Sequence, residues 1–312
     1  MDRLEPVSRA EVDAARARVD GRIRRTPVLT VEPAAFGSPQ PLHLKLDLLQ
    51  PTGSFKVRGA MSLLTATDVG SAGVVAASGG NFGQAVAWAA TQLGHRAVVF
   101  VPATSPEEKI APIRRWGAEV RVVDGYYHEA FQAAKAHVSE AGAVWAHAYD
   151  QREVVAGQGT AAVEVLADVP GVDTILVACG GGGLLAGIAG CVQDEVKVVA
   201  VETEGTPTLH AARTHGGPVD IEVSGIAASA LGARRLGELA WAAQPWVDDA
   251  LLVSDGEVVA AQRALWRETR SVAEPGGATA LAALTSGRYV PSPNEQVAVL
   301  VCGANTDPAS VS

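Results

Sequence analysis

The residues best suited to chemistry lie in PTGSFKVRGA, positions 51–60. The alternating run LHLKLD at 42–47 precedes it and the apolar pattern AMSLL at 60–64 follows. This spacing predicts a strand, a turn at Pro51 and Gly53, and a helix capped by Thr52 or Ser54. Lys56 then falls in the first helical turn, where the positive end of the helix dipole opposes a cation. Beside Phe55 and Val57, its amine is more easily held neutral, the state that a nucleophilic or Schiff-base lysine needs. Only five of the 25 basic residues are lysines (45, 56, 109, 135, 197). Arginine supplies the general charge and cannot form an imine. A solvated lysine at a helix start would produce the same local motif.

Three further turns carry candidate ligating groups. Gly180, Gly181, Gly182 and Gly183 stand between a strand-like and a helix-like run, where bare amides and a helix N-terminus can wrap a phosphate. The run lacks the spacing of the dinucleotide fingerprint, and close packing alone would account for one or two glycines rather than four. Ser78, Gly79, Gly80 and Asn81 occupy a second such junction, suited to a carboxylate or phosphate, with an ordinary N-cap as the simpler reading. Cys302 closes the last strand before Gly303, and its thiol could face a heteroaromatic nitrogen or simply pack. Glu274 opens a helix as an acid favoured by the dipole. HExxH and GxSxG motifs are absent, and the seven histidines show no metal-ligand spacing.

The elements that must position these groups alternate regularly. Continuous apolar strands are expected at 73–77, 96–101, 118–123, 143–147, 174–178, 196–201, 248–253 and 296–302. Helical patterns fall at 8–20, 81–94, 106–116, 127–141, 152–167, 184–193, 206–214, 229–243, 255–270 and 276–286. Such alternation predicts α/β architecture with parallel sheets covered on both faces. The glycine-rich turns follow strand C-termini, where open sheets bind ligands, so their convergence on one crevice points to a cofactor enzyme.

With 312 residues, 48% hydrophobic and 19% charged, the chain reads as soluble and globular. A net charge of −9, with no basic block beyond RIRR at 22–25, argues against nucleic acid and anionic membrane as partners. Three cysteines without a CxxC pair favour reduced thiols and a cytoplasmic location. The charged N-terminal segment has none of the apolar core expected of a signal peptide, and four glycines divide the one apolar stretch, 174–192, that mimics a membrane span.

In order, KLDLLQPTGSFKVRGA, SGGNFGQAVAWAA, VVAGQGTAAVEVL, CGGGGLLAGIAG, EPGGATALAAL and VLVCGANTD resemble the fold-type II pyridoxal-phosphate enzymes, most closely the serine/threonine dehydratases. The resemblance spans about 44 to 307. It implies a tryptophan synthase β-like fold of two open parallel-sheet domains with pyridoxal 5'-phosphate in the cleft. The larger domain would comprise 1–68 and 148–312, and a smaller, substrate-clamping one 73–147. It also implies a homodimer acting on a small amino acid. Lys56 would be the Schiff-base lysine and proton-transfer group, with Phe55 near it. Asn81 would bond the ring hydroxyl, Gly180 to Gly183 with Leu184 the phosphate, and Cys302 would face the ring nitrogen, with Glu274 also at the cofactor. Ser78, Gly79, Gly80, Asn81 and Phe82 would receive the substrate carboxylate. The implied reaction is β-elimination from L-threonine or L-serine to a 2-oxo acid and ammonia.

Some positions depart from the family pattern. Gly79 and Phe82 replace the second serine and the histidine of the usual Ser-Ser-Gly-Asn-His turn, and loss of that serine argues against a racemase. Glu202 and Thr206 match two ligands of a cation site in some relatives, but Thr208 replaces the aspartate, so no metal is expected. Without sequence for an appended regulatory domain, a catabolic or specialised enzyme is expected. The alternatives are a β-replacement enzyme of the cysteine synthase type, whose turns read PTGSVKDR and TSGNTG, and a non-catalytic pyridoxal-phosphate-binding relative.

Overall fold

The computed structural model describes residues 4–311. Among the described residues, ten strands form two sheets. The six-stranded sheet contains β1 (Val28–Val31), β2 (Leu42–Lys45), β7 (Thr174–Ala178), β8 (Lys197–Thr203), β9 (Asp249–Val253) and β10 (Val297–Leu300), in the order β1-β2-β10-β7-β8-β9. The four-stranded sheet contains β3 (Val74–Ala77), β4 (Ala97–Pro102), β5 (Glu119–Val123) and β6 (Val144–Ala146), in the order β5-β4-β3-β6. All neighbours run parallel except the edge pair β1 and β2, where Val28 stands opposite Lys45. Central strands such as TILVA, VVAA and VAVL are buried throughout, as continuous apolar runs in a doubly covered sheet require.

Twelve α-helices among the described residues connect and cover the strands. They are α1 (Arg9–Val19), α2 (Lys56–Ala66), α3 (Asn81–Gln92), α4 (Glu107–Arg115), α5 (Tyr127–Ala141), α6 (Arg152–Asp168), α7 (Gly183–Val192), α8 (Thr208–His215), α9 (Ala228–Leu231), α10 (Glu238–Ala242), α11 (Asp255–Thr269) and α12 (Pro275–Thr285). Helices α6 and α7 cover one face of the six-stranded sheet, and α11 and α12 the other. Helices α2 and α3 cover one face of the four-stranded sheet, and α5 packs on the opposite face. The single helical stretch expected over 229–243 is instead two short helices, parted by the Gly232–Gly237 segment. No helix among the described residues is long and apolar enough to cross a membrane.

Helix α6 is the spacer between the two chemistry-bearing helices. A Cβ on Gly157 would meet the Arg58 carbonyl at 2.6 Å, and one on Gly159 would meet the Gly187 carbonyl at 2.5 Å. Backbone therefore rests directly on backbone from α2 through α6 to α7, fixing the lysine helix relative to the glycine loop.

A buried ion network anchors α2 further. Arg58 is fully buried and donates to Asp47 Oδ2 at 2.7 Å from Nε and Oδ1 at 2.8 Å from Nη2. It also donates to Glu164 Oε1 at 2.7 Å and Oε2 at 2.9 Å. Lys45 Nζ, equally buried, donates to Glu164 Oε2 at 2.5 Å and to the Thr26 carbonyl at 2.6 Å. Asp168 Oδ2 lies 4.0 Å from Lys45 Nζ, so two cations face three carboxylates, and removing one partner would strand the others at a cost of about 3–5 kcal/mol.

Candidate active site

The turn before Lys56 closes through a bond from Gly53 N to the Gln50 carbonyl at 2.8 Å, with Gly53 at φ +74°. Neither Thr52 nor Ser54 caps the helix. Phe55 holds the N-cap position without a side-chain bond, and the Thr52 and Ser54 hydroxyls are buried with no partner among the described residues. The last strand fastens this turn instead: Phe55 N donates to the Cys302 carbonyl at 3.0 Å, and Ser54 bridges to Gly303.

Lys56 Nζ donates to the Ala148 carbonyl at 2.9 Å and lies 4.9 Å from the centre of the Phe55 ring and 5.9 Å from that of Phe82. It makes no ion pair among the described residues. Desolvation lowers its pKa to about 8, against the opposing pull of Cys302 and Glu274. An appreciable share of the amine is therefore neutral near physiological pH.

A cavity of about 370 Å³ contains Lys56, the whole Ser78–Phe82 turn and Gly181. A second cavity, of about 400 Å³ beside Arg25, Thr30 and Asp168, shares no residue with it. In the first turn, Gly80 N bonds the Ser78 hydroxyl at 3.4 Å, and the amides of Gly79, Asn81 and Phe82 donate to no group among the described residues. In the glycine loop the four successive amides from Gly181 to Leu184 likewise have no acceptor among the described residues. Gly182, Gly183 and Leu184 are buried, and buried donors are costly unless an anion completes them.

The loop glycines are also packing positions. A Cβ on Gly181 would lie 2.4 Å from Cγ of Tyr149, one on Gly180 2.8 Å from the Leu231 backbone, and one on Gly183 2.7 Å from the Tyr149 carbonyl. Gly182 has φ +84°. The four glycines thus meet both demands: bare faces pressed on protein, and amides left open.

Glu274 stands at the N-cap of α12 but is buried, and burial pushes its pKa up to about 7. Desolvation outweighs the helix dipole here, contrary to the expectation of a dipole-stabilised acid. Its Oε1 accepts from Asn81 Nδ2 at 2.5 Å, and Asn81 Oδ1 accepts from Asn305 Nδ2 at 2.7 Å. Cys302 is buried, with Sγ 3.6 Å from the Gly276 carbonyl, and burial raises its thiol pKa. It is a neutral thiol. Glu202 accepts from Leu209 N at 2.8 Å and His210 N at 2.9 Å, so its carboxyl closes the start of α8. Thr208 ties this group to the glycine loop through the Gly180 carbonyl.

Of the expected residues, Lys56, Ser78, Gly79, Gly80, Asn81, Phe82 and Gly181 line the cavity together. Phe55, Gly180, Gly182, Gly183, Leu184, Glu274 and Cys302 stand outside that lining. The sequence reading missed Tyr127, Tyr149, Ser229, Arg234 and Arg235, which complete the walls. Tyr127 opens α5 and Ser229 lies in α9, while Tyr149, Arg234 and Arg235 come from loops, and no local motif marks any of them as part of a site.

The family model described as pyridoxal-phosphate dependent enzyme matches residues 19–303. The chain belongs to this family. It is 35% identical over 307 residues to the L-threonine ammonia-lyase of Geobacter sulfurreducens, covering 96% of this chain and 76% of that one. The crystal structure of the T.th. threonine deaminase superposes with a TM-score of 0.89 at 35% identity, over 96% of this chain and 99% of that one. The structure of maize serine racemase gives a TM-score of 0.91 at 30% identity, over 98% and 95%. The fold is therefore that of the fold-type II pyridoxal-phosphate enzymes, and the cofactor is pyridoxal 5'-phosphate. The residues present suit that group: a partly neutral lysine lines the cavity, and the loop of unpaired amides meets it at Gly181.

Proposed function

We propose that this chain is a lyase that removes the β-hydroxyl and the amino group of a β-hydroxy amino acid such as L-threonine or L-serine, releasing a 2-oxo acid and ammonia. The observation that carries the reading is the placement of Lys56. Its amine has a pKa lowered to about 8 and no carboxylate partner among the described residues, and it shares a cavity with the open amides of the Ser78–Phe82 turn and with Gly181, where the glycine loop reaches the lining.

When bound, the cofactor supplies an imine-forming aldehyde and an electron sink. Lys56 would hold it covalently, and the Gly181–Leu184 amides would bind its phosphate at the positive end of α7. Asn81 and Cys302 would stand at the ring, where a neutral thiol does not keep a heteroaromatic nitrogen protonated as a carboxylate would. The open amides of Gly79, Asn81 and Phe82 would orient the substrate carboxylate. The neutral Lys56 amine would take the proton from the substrate Cα, the role for which its lowered pKa suits it. The Ala148 carbonyl gives that amine a fixed direction.

Assaying purified holoenzyme for 2-oxo acid and ammonia over a panel of β-hydroxy amino acids tests the proposal. Release from L-threonine or L-serine that is abolished in Lys56→Ala is expected. No release from any member of the panel would overturn it.

A further inference from the structure

The protein carries a net charge of −9, yet the charged side chains lining the reaction cavity are Lys56, Arg234 and Arg235, with no aspartate or glutamate among the described lining residues. A cleft lined by one sign of charge between low-dielectric walls concentrates ligands of the other sign. The two arginines differ. Arg235 is held by Asp220 at 3.5 Å and Glu238 at 3.4 Å. Both are exposed and so stand on the solvent side of the cavity, and the guanidinium of Arg234 has neither a hydrogen bond nor an ion pair among the described residues.

The anions of the proposed reaction do not use it. The cofactor phosphate and the substrate α-carboxylate are matched by the open amides of the glycine loop and of the Ser78–Phe82 turn. A substrate with the side chain of threonine or serine brings no further anion, so it would leave Arg234, at the exposed side of the cavity, bound to water alone. Its planar fork of donors fits a carboxylate in two-point contact.

We propose that Arg234 receives a second, distal carboxylate of the substrate, so that the enzyme favours an acidic β-hydroxy amino acid such as 3-hydroxyaspartate. This rests on the β-elimination reading above and names the side chain within it. The reaction stays balanced without an oxidant: the Cα proton and the β-hydroxyl leave as water, and water returns when the released enamine hydrolyses. 3-Hydroxyaspartate thus yields oxaloacetate and ammonia.

The test compares kcat/KM of the holoenzyme for the 3-hydroxyaspartate diastereomers, L-threonine, L-serine and 3-phenylserine. The same panel is run on Arg234→Gln and Arg234→Lys, with calorimetric Kd values for succinate, butyrate and the cofactor. The wild type should prefer a 3-hydroxyaspartate. Loss of a charged hydrogen-bond pair should lower that preference over L-serine by about 10- to 100-fold in Arg234→Gln. Arg234→Lys should restore part of it, and the preference for succinate over butyrate should fall in parallel. Three results would overturn the inference: a wild type that favours L-serine or 3-phenylserine, an unchanged preference in Arg234→Gln, or an effect confined to cofactor affinity. Failure of the elimination reading looks different, because then neither 2-oxo acid nor ammonia is released from any member of the panel.

Discussion

Asn81 Nδ2 donates to Glu274 Oε1 at 2.5 Å, tying the first residue of a helix on the four-stranded sheet to the cap of a helix on the six-stranded one. The acceptor is a buried carboxyl with its pKa raised to about 7. Its burden on folding is absent below the ordinary glutamate range, grows as pH rises toward 7, and is complete above it. Glu274→Gln keeps an oxygen for Asn81 and removes the buried charge. It should stabilise the apoprotein above pH 7 by about 1–3 kcal/mol and change little near pH 4. Denaturant melts at the two pH values check this, and equal shifts at both would refute it.

Lys56 should react as a partly neutral amine. Capture of pyridoxal 5'-phosphate by the apoprotein should quicken as pH rises and level off above about 8, the pKa to which burial lowers the group. An unperturbed lysine would still be accelerating up to about pH 10. Borohydride reduction followed by mass mapping should place the phosphopyridoxyl group on Lys56. A label on Lys45 is not expected, because that amine is buried against Glu164.

Gly181 should couple to Tyr149. An added methyl at position 181 would sit 2.4 Å from the tyrosine ring, so Gly181→Ala should lose about 1–3 kcal/mol of stability as well as cofactor affinity. Joined with Tyr149→Ala, it should recover much of the stability but not the affinity, since the aspect of the loop amides stays altered. Strict additivity of the two melting shifts would show that the ring is not the obstacle.

Gly79 bears on stereochemistry. Returning a proton to the opposite side of the substrate Cα needs a donor besides Lys56, and residue 79 supplies none. The nearest atom to its absent Cβ is the Ser105 hydroxyl, at 3.0 Å. Elimination from L-serine should therefore proceed without D-serine, despite the similarity to a serine racemase structure. Chiral chromatography of the reaction decides the point, and D-serine formed as fast as pyruvate would contradict it.

The alternation of strands and helices was legible because strands such as TILVA are apolar on both faces and lie between helix-length patterned runs. The glycine turns were legible because few other local structures use so many bare residues. The antiparallel β1 was not, since VLTV is a half-exposed edge strand whose partner fixes its direction. The cap of α2 was misread because Ser54 is drawn instead into a bridge with Gly303, far along the chain. Tyr149, Asn305 and Arg234 owe their places to tertiary approach, which no local spacing encodes.

Strand β10 lies between β2 and β7, although it is the last of the described strands to be made. Lys56 therefore leaves the ribosome long before the backbone that holds its turn, the Cys302 carbonyl that accepts from Phe55. Arg58 must also wait for Glu164, 106 residues downstream. The nascent chain carries a reactive amine and two unpaired apolar sheet edges until β10 slots in, an arrangement that slows folding and invites chaperone binding. Cofactor capture then follows the docking of β10, and the yellow colour of the loaded enzyme would report that insertion.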